Sequence, residues 1–367
     1  MSDTTGVCVL IRSLANGGAE KQSVLLTKAL DEKYPTYLVV LDQLPLHPKH
    51  LDKIKQENLQ VVFLKGNLWQ KLNMFAELIR SKNISALFSF LPSDTLLAAV
   101  VGRYLGVKHI FGGLRNAYVP WKKRIPLRFL HNYLLDYSIS NCHSGVKSLV
   151  QQGFRSEKFI VIHNALEHQL KPLPDVKINA YVDLITVGRF VDQKNYPLAL
   201  RIFKKLLETS PSAHLLRYTI IGYGPREQQI RDLIVDLGLE DRVRLMINPK
   251  NVGQLLASAD IYLSTSLFEG LSNAIMEGME YGLPVVATRV GDNDYLVNKG
   301  KNGYLHDVKD EEGMLNSLHK LVRDRDKRIR MGKCSQDIIS SNFSFPAFQK
   351  KYFELIEQKM TLSHETA

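Results

Sequence analysis

Short apolar runs alternate with amphipathic stretches along most of the chain. Residues 6–11 (GVCVLI), 36–41, 60–64 and 86–90 are runs of the kind that form strands buried on both faces of a sheet. Helical spacing separates them: a helix ending near residue 30, then 72–80, then 93–105 with Ser93 or Asp94 near its cap. Short strands are expected at 109–111, 137–141 and 159–162. After a polar, proline-containing stretch without periodicity, the alternation resumes with strands at 182–187, 218–221, 243–247, 261–264 and 285–288. Helices are expected over 197–207, 226–237, 252–258, 271–282, 311–332 and 347–359. Strands alternating with helices imply parallel sheets covered on both faces, so the fold class is α/β with two doubly wound, Rossmann-like halves. The aperiodic stretch sets the boundaries: 1–165, 166–346, and a C-terminal helix with its tail over 347–367.

Each half carries a glycine turn after its first strand, and ligands of such sheets bind outside the carboxyl ends of the strands. In the first half, Gly17 and Gly18 stand between strand and helix without a G-x-G-x-x-G pattern, which makes a dinucleotide site unlikely and leaves a plain turn or an anion site. In the second half, the 182–187 strand runs into Gly188 and Arg189, with Lys194 five residues on; two cations there suit a diphosphate leaving group. The stretch 264–288 reads as strand, loop, helix, strand. Glu269 lies just before its helix and Glu277 inside it, about 130° from the centre of the apolar stripe at 100° per residue. Gly270 frees the loop to turn, and Ser272 or Asn273 caps the helix, leaving N–H groups outward.

Composition narrows the classes. With 367 residues, 45% hydrophobic and 23% charged, the chain is of ordinary globular make-up. No apolar run approaches the roughly 20 residues of a membrane span. The first residues lack a secretory pattern, and three distant cysteines give neither metal spacing nor a disulfide framework, so a cytoplasmic location is expected. The net charge of +11 is uneven: residues 1–165 hold 21 Lys/Arg against 11 Asp/Glu, leaving the rest near neutrality. A basic half implies an anionic partner, or solubility alone. Residues 117–136 set Trp121 beside Lys122, Lys123 and Arg124 with apolar residues interleaved. That reads as a membrane-surface element or as a core helix with a basic edge, and Pro120 and Pro126 are expected to interrupt any single long helix.

The combination of GGAEK after the first strand, Val187-Gly188-Arg189 with Lys194, Ile221-Gly222-x-Gly224-Pro225, Ala259-Asp260, and Glu269-Gly270-x-x-Asn273 with Glu277 resembles glycosyltransferase family 4. The likeness runs from about residue 7 to 357 and is strongest over 182–305. It implies the GT-B fold, two facing Rossmann-like domains with a cleft between them, and a retaining transfer of a hexosyl or N-acetylhexosaminyl group from a UDP- or GDP-linked sugar. By the same resemblance, Glu269 lies against the donor sugar, while Arg189 and Lys194 clamp the diphosphate. Glu277 accepts from the ribose hydroxyls. The N–H groups of Gly270, Leu271 and Ser272 meet sugar or phosphate. Gly17 and Gly18 close from the other domain, and the base sits near Ile247 beside Gly222 and Gly224. The last helix crosses back to the first domain.

Family members often carry a histidine near 112–116. Here Gly112 and Gly113 occupy that place, which makes Arg115 and Asn116 the acceptor-side candidates together with Trp121, Lys122, Lys123 and Arg124. Asp292-Asn293-Asp294 imitates a D-x-D metal motif but reads as a polar turn, so no metal or other cofactor is expected. The resemblance implies a lipid-linked or oligosaccharide acceptor in surface polysaccharide or lipopolysaccharide assembly, peripheral contact with an anionic membrane at its inner face, and no nucleic-acid partner. A nucleotide-sugar epimerase of similar shape and a non-catalytic nucleotide-sugar binder are the alternatives.

Overall fold

The apolar runs become strands because only a sheet buried on both faces can shelter unbroken stretches such as GVCVLI, all six residues of which are buried. The structure, a computed structural model, describes residues 5–15, 17–114, 119–166 and 181–362. Contacts divide the chain into two units: one holds the residues up to 167 together with the segment from Phe345, the other holds 168 to Ser344.

In the first unit, β1 (Gly6–Ile11), β2 (Thr36–Val40), β3 (Gln60–Phe63), β4 (Ile84–Ser89), β5 (His109–Gly113), β6 (Tyr137–Ser140) and β7 (Phe159–Val161) form one parallel sheet in the order 3-2-1-4-5-6-7. The helices are α1 (Gly18–Asp31), α2 (Pro48–Gln56), α3 (Leu68–Ser81), α4 (Pro92–Tyr104), α5 (Trp121–Phe129) and α6 (His143–Gln151). Helix α3 starts ahead of its apolar stripe. Asn67 and Gln70 form a reciprocal capping box, with bonds of 3.0 and 2.9 Å, that satisfies two N-terminal donors. The expected interruption at Pro126 does not occur. Helix α5 runs through it and continues as a π-helical turn, Leu130–Leu134. The missing N–H frees one carbonyl on an exposed stretch, where water can satisfy it.

In the second unit, β8 (Val182–Val187), β9 (Leu216–Gly222), β10 (Val243–Ile247), β11 (Ile261–Ser264), β12 (Val285–Thr288) and β13 (Gly303–His306) form a second parallel sheet in the order 10-9-8-11-12-13. It carries α7 (Tyr196–Thr209), α8 (Glu227–Asp236), α9 (Val252–Ser258), α10 (Asn273–Glu280), α11 (Asn293–Leu296), α12 (Glu311–Arg323) and α13 (Arg325–Asn342). The single helix expected over 311–332 is two. Asp324 turns out of helical geometry at φ −119°, and its carboxylate caps α13 by accepting from Lys327 N at 2.8 Å.

The last helix, α14 (Phe345–Leu362), belongs to the first unit. Phe348, Tyr352, Leu355 and Ile356 are buried with residues of α1, β1 and β4, and the Tyr352 ring meets Phe88 edge-on at 5.7 Å. Burying a large apolar side chain is worth roughly 1.5–3 kcal/mol, so these four anchor the segment against its backbone entropy.

Candidate functional site

In the strand order of the second sheet, β8 leads to β9 on one side while β11 lies on the other. The loops after β8 and β11 therefore leave the same sheet edge in diverging directions, and this switch point is where doubly wound sheets bind ligands. The β8 loop continues through a 3-10 turn, Asp192–Lys194, to Asn195, a non-glycine residue held at φ +50°. The Thr265 hydroxyl lies 3.0 Å from the carbonyls of both Lys194 and Asn195, which pins this turn to the end of β11.

That pinning brings Lys194 and Glu269 together. Lys194 Nζ lies 2.5 Å from Glu269 Oε1, with the two side chains 18% and 9% exposed. Ser266 Oγ donates to the same carboxylate oxygen at 2.7 Å, and Gln193 Nε2 donates to Phe268 O at 2.8 Å. The Leu267 N–H closes the pair of loops on Gln193 O at 2.8 Å. A carboxylate so deeply sheltered is stable only with partners of this kind, and removing one of them leaves a charge uncompensated. Sequence reasoning assigned no role to Gln193, Ser266 or Thr265. Gln193 sits between the quoted Arg189 and Lys194, and Thr265 and Ser266 lie within the 264–288 stretch, which is the only signal that marks them. Arg189 is exposed at the end of β8, and its guanidinium has no partner among the described residues.

Behind the pair, Gly291 takes φ +58°, and a Cβ there would stand 2.4 Å from the carbonyl oxygens of both Glu269 and Gly270. Asp292 N donates to Gly270 O at 2.8 Å. The Asp292-Asn293-Asp294 stretch thus backs the Glu269 loop: Asn293 Nδ2 donates to Thr288 O at 2.9 Å, and Asp294 pairs with Arg289. Among the described residues, no group of His, Cys, Asp or Glu is arranged to hold a metal ion.

Ser272 caps α10, its Oγ accepting from Ile275 N at 3.4 Å, and the helix dipole favours negative charge at this end. Leu271 and Ser272 are themselves buried, Gly270 is half-buried, and Glu277 lies half-buried on α10 itself. Beneath the site, Tyr262 and Tyr196 stay neutral: burial raises both hydroxyls well above the ordinary tyrosine value, and nearby negative groups, Glu269 among them, add to it. Gly222 and Gly224 meet a packing need. A Cβ on Gly222 would lie 1.9 Å from Gly188 O, and Gly224, at φ +153°, lies against Phe190. Both let the β8 loop rest on the end of β9. Ile247 is 39% exposed at the end of β10, and Asn248 N donates to Gly222 O at 3.0 Å.

The other candidates lie in the first unit. Gly17 caps α1 in extended geometry, without a side-chain bond, and Gly18 opens the helix. Beside them His47 N donates to Leu14 O at 2.7 Å, and the His47 and His50 rings stand 5.7 Å apart. Neither histidine was foreseen, since the short helix α2 has too few apolar positions to mark it. Trp121, Lys122 and Lys123 are exposed at the start of α5, and Arg124 is half-buried. Arg115 and Asn116 lie outside the described residues.

Residues 176–337 match the family described as "Glycosyl transferases group 1". LpsE of Rhizobium meliloti, a lipopolysaccharide core biosynthesis glycosyltransferase, is 28% identical over 176 residues, 48% of this chain and 50% of LpsE, so the chain spans half the length of that relative. A Campylobacter jejuni protein, N-acetylgalactosamine-N,N'-diacetylbacillosaminyl-diphospho-undecaprenol 4-alpha-N-acetylgalactosaminyltransferase, is 25% identical over 345 residues, 86% of this chain and 90% of its own. Among solved structures, Anabaena HepE in complex with UDP superposes with a TM-score of 0.82 at 19% identity, over 96% of this chain and 100% of HepE. The fold is that of GT-B glycosyltransferases.

Proposed function

Because residues 176–337 match the group 1 glycosyltransferases, we propose that the protein is an enzyme that moves a hexosyl or N-acetylhexosaminyl group from a UDP- or GDP-linked sugar to an acceptor hydroxyl with retention of configuration. The observation that carries this reading is the Lys194–Glu269 pair at the switch point of the second sheet. Lys194 and Arg189 neutralise the donor diphosphate as its charge grows, and Glu269 holds the sugar hydroxyls beside the carbon that becomes positive. The bond from the anomeric carbon to phosphate breaks while the acceptor oxygen bonds to the same face, and the departing phosphate oxygen takes the acceptor proton. With Glu269 already engaged by Lys194 and Ser266, this same-face route fits better than a covalent intermediate on that carboxylate. Gly270, Leu271 and Ser272 present N–H groups to sugar or phosphate, Glu277 takes the ribose, and Ile247, Gly222 and Gly224 flank the base.

The acceptor is a lipid-linked glycan, as the Campylobacter relative's diphospho-undecaprenol substrate suggests, and the enzyme works at the cytoplasmic face of a membrane. Arg115, Asn116, Trp121, Lys122, Lys123 and Arg124 are its acceptor-side residues. Binding of UDP-, GDP- and ADP-sugars, followed by product analysis with polyprenyl-diphosphate-linked sugars, tests the reading. Transfer from one donor to such an acceptor supports it. Release of a modified nucleotide sugar without any acceptor identifies an epimerase instead, and binding without turnover a non-catalytic binder.

A further inference from the structure

The loops after β1 and β2 run side by side at the carboxyl edge of the first sheet. Asp42 N donates to Arg12 O and His47 N to Leu14 O, both at 2.7 Å, and Leu14 bridges Leu46. This stitching lays α2 against α1. Of the α2 residues only His50 and Ile54 are buried, one turn apart. Ile54 joins the core, whereas His50, 9% exposed, brings a polar ring inside. One of its nitrogens bonds the Ala15 carbonyl. Its Nε2, shielded from solvent, has no hydrogen-bond partner among the described residues, and neither has the shielded Nδ1 of His47, whose ring stands 5.7 Å away. A buried polar atom without a partner costs roughly 1–3 kcal/mol. A histidine kept for packing has both nitrogens bonded, as His131 has, to Ser138 Oγ at 2.7 Å and Arg155 O at 2.9 Å.

The surroundings are cationic. Burial lowers the His50 ring below the ordinary histidine value, and the charges of His47, Lys21 and Lys53 lower it further. Lys53 is itself pushed down to about 8 by burial, Lys28 and Lys21. Glu57, which opposes that shift, is shared with Lys28 at 2.6 Å, and Asp42 of the β2 loop is taken up by Arg12 and Lys71. Like charges gathered around two unbonded ring nitrogens complement an anion with several acceptor oxygens. A carboxylate brings one charge and two oxygens, whereas a phosphate brings up to two charges and three strong acceptors. We propose that His47, His50, Lys21 and Lys53 form a phosphate-binding site beside β1 and β2 of the first unit, which holds a phosphoryl group of the acceptor. The site deepens the lipid-linked-acceptor reading and rests on it for the source of its ligand. Phosphate turns Nε2 of His50 into a donor. The ring takes up a proton on binding, because its other nitrogen already gives its hydrogen to Ala15.

Imidazole proton NMR of the full chain, titrated with pH, reads the site directly. Inorganic phosphate should move the His50 midpoint upward, and calorimetry in two buffers of different ionisation enthalpy should show proton uptake on binding near neutral pH. His50→Asn keeps the donor to Ala15 and removes Nε2. This variant and Lys53→Met should each weaken phosphate binding about tenfold or more, and His50→Gln, which restores a donor at the Nε2 position, should recover part of the loss. Unchanged thermal melting establishes that each variant is folded. A His50 midpoint that phosphate does not move, or equal phosphate affinity in wild type, His50→Asn and Lys53→Met, overturns the site. A detergent-solubilised polyprenyl-diphosphate-linked sugar that moves the midpoint as phosphate does supports the acceptor as the source; movement by inorganic phosphate or UDP alone overturns that assignment. In the transfer assay His50→Asn should raise the acceptor KM about tenfold with kcat nearly unchanged. Phosphate binding as expected with no sugar transfer to any acceptor overturns the function and leaves the site standing; transfer with the same acceptor KM in wild type and His50→Asn does the reverse.

Discussion

The two sheets are built on one plan and differ in what they place around it. Both are parallel, both have a switch point, at β1 and β4 in one and at β8 and β11 in the other, and both send a glycine-bearing loop out from the first strand. In the second unit the switch point is tightly furnished: Lys194, Glu269, Ser266 and Thr265 tie its two loops together. In the first unit the corresponding loop pairs Arg12 with Asp42 and ends on Gly17 at the cap of α1, and the same unit carries exposed apolar and basic side chains on α5. The difference teaches that one scaffold can furnish the loops at a switch point with paired polar groups in one copy and leave them sparsely furnished in the other.

Breaking one unit without the other gives the largest effect. Tyr352→Ala removes a buried aromatic that joins α14 to the first sheet, and its expected cost is about 3–5 kcal/mol. Calorimetry should show the first unit melting earlier and the second nearly unmoved; an equal shift of both would contradict the division of the chain. Next come Lys194→Ala and Glu269→Ala. Each should lower kcat/KM by roughly 10²- to 10³-fold, the loss typical of a preorganised electrostatic contact, with the double variant far less than multiplicative because the two act as a pair. Near-normal turnover in both single variants would end the assignment of this site.

Gly291→Ala sharpens the comparison from behind the site. Its φ of +58° and its contact with the Glu269 carbonyl predict a cost of about 1–3 kcal/mol and a raised donor KM, read by thermal melting and by donor titration. The smallest effect belongs to Asp94 of the first unit, which accepts from Phe90 N and Leu91 N at 2.8 and 2.9 Å. Burial pushes its carboxyl up from 3.8 to about 6. Between those values the folded state holds a proton that the unfolded state has released, so stability should fall as pH rises through that window. Asp94→Asn keeps an acceptor and removes the titration; parallel pH–stability curves for the two proteins would contradict the assignment.

Strand and helix were legible wherever a local window contains its own cause. GVCVLI is a buried strand under any topology, and Ser272 caps α10 from its own neighbourhood. Motifs inside such windows, Gly188 to Lys194 and Glu269 to Glu277, were legible as candidates for the same reason. Local misses also had local causes. Asn67 and Gln70 lengthen α3 beyond its apolar stripe, and the Asp324 cap divides a continuous amphipathic pattern.

What the sequence by itself determined, then, is the alternation of strand and helix, the unequal charge of the two halves and the residue types at each turn, because propensity and periodicity act over a few residues. Only the tertiary structure decided that Lys194 and Glu269, 75 positions apart, form one ion pair, whereas the return of the last helix to the first unit was already implied by the resemblance and is held there by the burial of Phe348, Tyr352, Leu355 and Ile356. The tertiary structure alone set apolar positions of α4 and α5 on the outside. Those outcomes depend on which strands become neighbours and which helix faces are already covered, and the burial that settles both is a property of the assembled sheet, not of any stretch of chain.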